Sequence, residues 1–476
     1  MNTELGTYLY KDNIQGAFLN ASQTLYNAVA HTIGPNGTNT AIPTGNDFLS
    51  IINDGKTIIE TISSNDPAIK LALNTLKESA FATNKEAGDG TTSTVVLQHK
   101  LLDNILSSGV NMDGRTLESI RDRLLNKLPN YKKEIHSEKD LRDVITVALG
   151  SAKFTDIVYD AFDGLDKTQK PAIIKANTQK DTDCIKIDGI NLAPVEVNPV
   201  VLKSMPPAKD EPLDVIILNQ EVSRIDNQFA LLLRNISTSK NKTILLYTDI
   251  KPSVMDQLLY NIQEGALNLI PIRLAMNVQN LDAIISDLED YFRCKSYSDL
   301  NPYQTNITGS FVGKGIGYIL NKDSIIIKND NAEYNEKERI VPASSSVIQV
   351  GFITFSQQAE DYRRIEDAVH SAYNAINYGY VLGAGYTYFC LAQELDALGD
   401  NAEPIKEALR TIFIALVPKY ITQSEFINNI EGGIYDSYRV AEQVILNAFT
   451  VVSQILSTAC LLVPYQRNRT TGYIEE

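Results

Sequence analysis

Apolar residues recur along this chain with a period that changes twice. Through most of the first third the spacing is helical. The run IQGAFLNASQTLYNAVAHTI (14–33) keeps an apolar face and stops at Gly34-Pro35. AIPTGNDFLSIINDGKTIIETI (41–62) reads as a short strand pair around turns, followed by a helix. DPAIKLALNTLKESAFATNKEAG (66–88) is strongly amphipathic. Asp66-Pro67 supplies a cap with proline at the first helical position, Gly88 stops the run, and another helix opens after Gly90. The middle differs. DVIILN, KTILLYT, LNLIPIRL and DSIIIK are short β-branched runs, separated by helical stretches such as SRIDNQFALLLRNI (223–236) and PSVMDQLLYNIQEG (252–265). Alternating strands and helices predict an α/β domain with some parallel pairing. From SQQAEDYRRIEDAVHSAYNAINYG (356–379) the chain is helical again almost to its end. The simplest architecture is an α/β domain inserted into a helical one that both chain ends complete.

Composition narrows the class. At 476 residues and 43% hydrophobic, the chain can bury two to four domain cores. Its net charge is −15, and no block of Lys or Arg opposes it, so nucleic acid is not expected as a partner. Cys184, Cys294, Cys390 and Cys460 form no C-x-x-C pair, and His31, His99, His136 and His370 are equally scattered. Neither set suggests a metal site or a disulfide framework. MNTELGTYLYKDN lacks the basic start and apolar core of a signal peptide. The most apolar stretch, Val444 to Val463, carries Asn447, Ser453, Gln454, Ser457 and Thr458, so it reads as a buried core helix and not a membrane span. A soluble, cytoplasmic protein is expected.

Four polar turns carry candidate chemistry: TIGPNGT (32–38), NDG (53–55), GDGTTS (88–93) and GAG (383–385). Glycines let a backbone approach a phosphate, and a helix start beside them favours negative charge. Thr91, Thr92 and Ser93 add hydroxyls. Asp89 would repel a bare phosphate unless a divalent cation lay between them, and Asp54 is a second carboxylate in a tight turn. No lysine follows the glycines, and no G-x-G-x-x-G follows a strand, so neither common phosphate loop is present. Each turn alone is an ordinary turn sequence.

Order and spacing add what the single turns lack. TIGPNGTN, NDGKTIIETI and AGDGTTSTVVL resemble the N-terminal part of a chaperonin. RRIEDAVHSAYNAINYGYVLGAG and GGIYDSYRVAEQVILNAFTVVSQILSTACLLV resemble two C-terminal segments of that family. EDAVHSA and LSTACLLV favour the GroEL-type (group I) branch, in a divergent, shortened form of the kind a virus could encode. The resemblance implies a multidomain α plus α/β fold. It comprises an all-helical equatorial ATP-binding domain (1–134 and 379–476), an intermediate hinge domain (135–186 and 345–378) and an inserted α/β apical domain (187–344).

The resemblance also implies a site. Asp89 matches the magnesium ligand. Gly90, Thr91, Thr92 and Ser93 match phosphate contacts. Thr32, Ile33, Gly34 and Pro35 match the loop along the nucleotide, and Gly383, Ala384 and Gly385 match a glycine turn. Ile434 and Asp436 match residues beside adenine and ribose. Asp54 and Asp367 match the two carboxylates around the attacking water. Implied cofactors are ATP, Mg2+ and K+. Implied partners are copies of the chain in a seven-membered ring, non-native polypeptides and a GroES-type co-chaperonin. Spacing alone favours a core role for the stripes on 221–235 and 252–262, whereas the resemblance makes Phe229, Leu232, Met255, Leu259 and Tyr260 groove residues that bind polypeptide.

The sequence departs from the family at named places. Ala384 replaces a middle glycine, which the turn tolerates if φ is negative there. Phe355 stands where a glutamate makes subunit contacts. NDNAEYNEKERIVPASSS is shorter than the family's helical pair. The expected function is an ATP-hydrolysing ring chaperonin that encloses non-native protein. The alternative is a non-hydrolysing holdase or scaffold ring, against which the retention of Asp54, Asp89 and Asp367 argues. A nucleotide-dependent enzyme of small metabolites would explain the loops but not the apical stripes.

Overall fold

The computed structural model describes residues 7–34, 37–44, 48–167, 169–176, 179–275, 281–297, 309–321, 324–329, 344–418 and 421–463. The chain forms two compact units. Met1–Tyr159 and Thr354–Glu476 make one, and the inserted Asp160–Ile353 makes the other.

Among the described residues the first unit is helical apart from three two-stranded ribbons. Its Pro67–Ala87 helix starts and stops where the sequence said. Asp66 accepts from the Ala68 and Ile69 amides at 2.8 and 3.0 Å, Pro67 follows, and Gly88 closes the helix at φ 75°. The Tyr438–Ser457 helix lies against the Pro67–Ala87, Thr91–Ser108 and Gly114–Lys127 helices. Val444, Ile445, Ala448, Phe449 and Val452 sit in the core they share. This helix is long and apolar enough to cross a membrane by length and composition, and its apolarity is used here for packing. The expected helix over 444–463 is shorter than its apolar run. It ends at Ser457, and Cys460–Val463 pairs antiparallel with Thr7–Tyr10. Thr40–Thr44 and Phe48–Ile52 form the expected hairpin.

The second unit is built on two sheets. In the first, Leu213–Val222, Lys242–Ile250 and Leu269–Leu274 are mutually parallel, and Gly313–Gly315 and Val195–Val197 flank them antiparallel. The Asn227–Thr238 and Pro252–Gln263 helices are the crossovers that parallel pairing requires. The second sheet runs Ala172–Lys175, Ser344–Val350, Asp183–Leu192, Ile325–Lys328, Gly317–Leu320, Ala208–Lys209. The reading of β-branched runs missed Asp183–Leu192, which alternates polar with apolar residues and contains Gly189. A Cβ there would lie 3.0 Å from Ile326 Cγ2, so the glycine marks a close strand approach.

Exposure redraws the expected groove. Phe229 and Leu232 are 1% and 0% exposed, packed with Ile236, Val254, Leu258 and Ile262 over Ile216, Leu218 and Leu245 of the first sheet. Each crossover helix must cover the sheet with one apolar stripe, and Phe229, Leu232 and Ile236 are that stripe. Leu259 is also buried and Met255 half-buried. Tyr260 is 63% exposed, with Ile225 and Leu231 also at the surface. Of NDNAEYNEKERIVPASSS, residues 330–343 lie outside the described residues.

Candidate active site

The turn Gly88-Asp89-Gly90 joins two long helices. Gly88 and Gly90 have φ of 75° and 95°, a region open to glycine at little cost. Gly90 is wedged so tightly that a Cβ would meet Val440, Thr83 and Val444 at 3.0–3.1 Å. Thr94 holds the turn from behind. Its hydroxyl bonds to the Gly90 carbonyl at 2.9 Å and to Thr83 Oγ1 at 3.0 Å, and Asn447 Nδ2 donates to Thr83 at 3.0 Å. The Thr91–Ser108 helix has Gly90 as its N-cap and no side-chain cap. The first amides of a helix have no partner within it, and the dipole makes such an end favourable to negative charge. Thr92 and Ser93 are half-buried beside it. Thr91 is buried, its hydroxyl 3.4 Å from Asn84 Oδ1.

Asp54 reaches this turn from another element. It caps the Gly55–Thr61 helix, accepting from the Lys56 and Thr57 amides at 3.2 and 3.0 Å and from the Thr57 hydroxyl. A Cβ on Gly55 would collide with Thr92 Oγ1, so the Asn53-Asp54-Gly55 turn is in direct contact with the start of the Thr91–Ser108 helix.

Asp367 comes from the Phe355–Tyr378 helix, which belongs to the same compact unit. His370 packs on Gly88, where a Cβ would strike the His370 Cβ, and Asn374 Nδ2 donates to the Ala87 carbonyl at 2.8 Å. The helix thus sits directly on the turn. The electrostatics record the crowding. Burial, then the charges of Asp89, Asp54 and Glu366, push Asp367 well above the usual carboxylate range, with Lys56 pulling back. Burial raises Asp89 as well. The Gly90 amide, which donates to Asp89 Oδ1 at 2.5 Å, opposes this, and the charge of Asp54 adds to it. Asp436 is raised to about 7 by burial and then by Asp89.

Asp436 is placed by a ribbon. Tyr380–Leu382 pairs with Tyr435–Ser437, setting Val381 opposite Asp436, and the Gly383 amide donates to the Ile434 carbonyl at 2.8 Å. A Cβ on Gly383 would lie 3.0 Å from the Asp436 carboxyl carbon, so the 383–385 turn lies against Asp436. Gly385, at φ 74°, caps the Tyr386–Gln393 helix without a side-chain bond. Ala384 has φ 51°, so the negative φ on which its easy replacement of glycine depended is not met. Two successive left-handed residues form this turn, and the alanine pays about 1–2 kcal/mol for it. Thr32, Ile33 and Gly34 form a separate turn after the Lys11–Val29 helix. Thr32 Oγ1 donates to Val29 at 2.8 Å, Ile33 is half-buried and Gly34 has φ 75°. Pro35 and the side chain of Phe355 lie outside the described residues.

A bound Mg-nucleotide fits these residues. Three carboxylates from separate elements act on one another at a helix start without a side-chain cap, with Lys56 pulling against them, and such an acidic cluster calls for a counter-cation. Among the described residues no three His, Cys, Asp or Glu could together hold a metal. Sequence reasoning missed Lys56, Thr57 and Asn374. It also missed Tyr388, a buried phenol raised by desolvation and by Asp436 and Asp89. Thr57 meets Asp54 only three residues away, a capping contact open to a local reading, whereas Lys56, Asn374 and Tyr388 act on segments distant in sequence.

A helical unit made by both chain ends, an inserted α/β unit and carboxylates gathered at a glycine turn define the architecture of a chaperonin. The sequence model of the TCP-1/cpn60 chaperonin family matches residues 25–285, and the chain belongs to that family. It is 22% identical over 532 aligned positions to the chaperonin GroEL of Aster yellows witches'-broom phytoplasma (strain AYWB), covering 98% of each chain. It is equally similar to the chaperonin GroEL of Onion yellows phytoplasma (strain OY-M). Its fold matches the chaperonin gp146 of bacteriophage EL, crystallised in the presence of ATP-BeFx. The TM-score is 0.72 at 18% identity, covering 96% of this chain and 99% of that one. A second crystal form of gp146 gives 0.67 at 17%.

Proposed function

We propose that this chaperonin is an ATPase that assembles into a ring and encloses non-native polypeptides, driven by Mg-dependent hydrolysis. One observation carries the reading: Asp54, Asp89 and Asp367, from three separate elements, act on one another electrostatically at the uncapped start of the Thr91–Ser108 helix. Asp89 would hold magnesium, which supplies neutralisation of phosphate charge. The amides of Thr91, Thr92 and Ser93 and the hydroxyls of Thr92 and Ser93 would receive phosphate oxygens. Gly383, Ala384, Gly385, Ile434 and Asp436 would line the nucleoside, with Thr32, Ile33, Gly34 and Pro35 along it. Asp54 and Asp367 would orient the attacking water. Burial and the charges of Asp89 and Asp54 raise the proton affinity of Asp367. Catalysis would then rest on positioning and electrostatics.

The proposal extends to the division into equatorial (1–134, 379–476), intermediate (135–186, 345–378) and apical (187–344) domains. It includes a K+ ion beside the nucleotide, a seven-membered ring, a GroES-type co-chaperonin and residence in the cytoplasm of a bacterium or an infected host cell. Its polypeptide surface centres on Tyr260 and Met255, extended by the exposed Ile225 and Leu231. The bacteriophage EL chaperonin, solved with ATP-BeFx, supports the nucleotide reading. A steady-state assay tests it. The parent should hydrolyse ATP only with magnesium, and Asp367→Ala should lose at least ~100-fold in kcat, the scale of a positioned general base. A parent that binds ATP without turnover would instead be a holdase or scaffold.

A further inference from the structure

We propose that Asn374 is a positioning residue that latches the Phe355–Tyr378 helix onto the phosphate turn and so sets Asp367 against Asp89. The inference rests on the ATPase reading for its kinetic consequence but not for the latch itself. Asp367, His370 and Asn374 follow one another at three and four residues, so they share one helix face. All three meet the same short segment. Asn374 bonds to Ala87, His370 packs on Gly88, and Asp367 feels the charge of Asp89.

The bond to Ala87 is placed to matter. Ala87 ends the Pro67–Ala87 helix, and carbonyls in a last turn have no partner within their own helix. Asn374, only 5% exposed, supplies that partner. The amide of the same peptide unit, Gly88 N–H, donates to the Asn84 carbonyl at 2.8 Å. Both polar groups of the Ala87–Gly88 peptide are therefore tied, one to its own helix and one to the helix that carries Asp367. This fixes the plane of the peptide that enters the Gly88-Asp89-Gly90 turn. The carboxylates oppose this contact, because Asp89 and Asp54 both repel Asp367. A neutral amide donor beyond the cluster holds the helix down without adding charge to it, and it touches no reacting atom.

The test uses the full-length protein in its assembled form, with Asn374→Ala, Asn374→Leu and, as control, Asn377→Ala. Asn377 lies on the same helix and is exposed. Two readouts are taken: kcat and KM for Mg-ATP, and amide exchange by mass spectrometry over 84–92 and 363–376 without nucleotide. Losing one buried hydrogen bond should speed exchange in both segments by about tenfold and lower kcat by a similar factor. KM should stay within about twofold, and Asn377→Ala should match the parent. Leucine fills the asparagine volume without an N–H, so parental kcat and exchange in Asn374→Leu would reduce the contact to packing and overturn the latch. Parental exchange in Asn374→Ala would do the same. If the parent hydrolyses no ATP, the ATPase reading fails alone, and the exchange comparison still decides the latch.

Discussion

Asp89 shows how much a single residue can say and where it stops. A carboxylate between two glycines at a helix start pointed to a cation from the sequence alone, yet its partners Asp54 and Asp367 lie 35 residues before it and 278 after it. Asp436 offers a pH test at the same scale. Its folded pKa is about 7 against 3.8 for the free group, so the folded state binds the extra proton. The stabilisation this gives is fully present below about pH 4 and is lost as pH rises through about 7. In nucleotide-free, EDTA-treated protein, Asp436→Asn should therefore raise the thermal midpoint at pH 8 by several degrees and leave it unchanged at pH 4. Ala384 gives a second test. Relief of its left-handed strain, less the extra chain entropy of glycine, should make Ala384→Gly more stable by about 0.5–1 kcal/mol in urea unfolding.

The Pro67–Ala87 helix separates stability from function at the scale of an element. Its start and stop were legible in Asp66, Pro67 and Gly88 because caps are local chemistry. Asp66→Ala should cost about 1 kcal/mol of folding stability, since two amides lose their acceptor. It should leave KM for ATP unchanged, because the cap lies some 30 Å from Gly88 along a 21-residue helix. Gly88→Ala should cost stability and also abolish turnover where the protein still folds, because φ is 75° there and a Cβ displaces His370 and the helix bearing Asp367. The collision of Gly55 with Thr92 and the bond from Asn374 to Ala87 left no mark in the sequence, since each joins a side chain to the backbone of a remote turn.

Across the whole molecule, the nested order helical, α/β, helical was visible in the changing apolar period, and the two compact units follow it. The apical stripes were not resolved in this way. Periodicity identifies an apolar helix face but cannot say whether a sheet already covers it. Phe229→Ala should destabilise the inserted unit by about 3–5 kcal/mol, as a core truncation does, and any loss of client binding should track unfolding. Tyr260→Ser should leave the thermal midpoint and ATP turnover unchanged while weakening suppression of aggregation of a denatured client, read by light scattering. Ring formation is checked by negative-stain images with and without ATP, where isolated monomers in both would defeat the proposed assembly.

The sequence by itself determined the family, the insertion topology, the helix caps and the identity of the acidic residues, because these are carried by local spacing and by segments in register. Tertiary structure decided the rest. It turned Phe229 and Leu232 inward, made Ala384 left-handed, and set the Asp367 helix against the Gly88-Asp89-Gly90 turn, with Asn374 bonded to Ala87. Each outcome depends on which surface meets which, and packing and desolvation act between segments that local pattern cannot relate. Asp54 and Asp367 come to the AGDGTTS turn only in the folded chain.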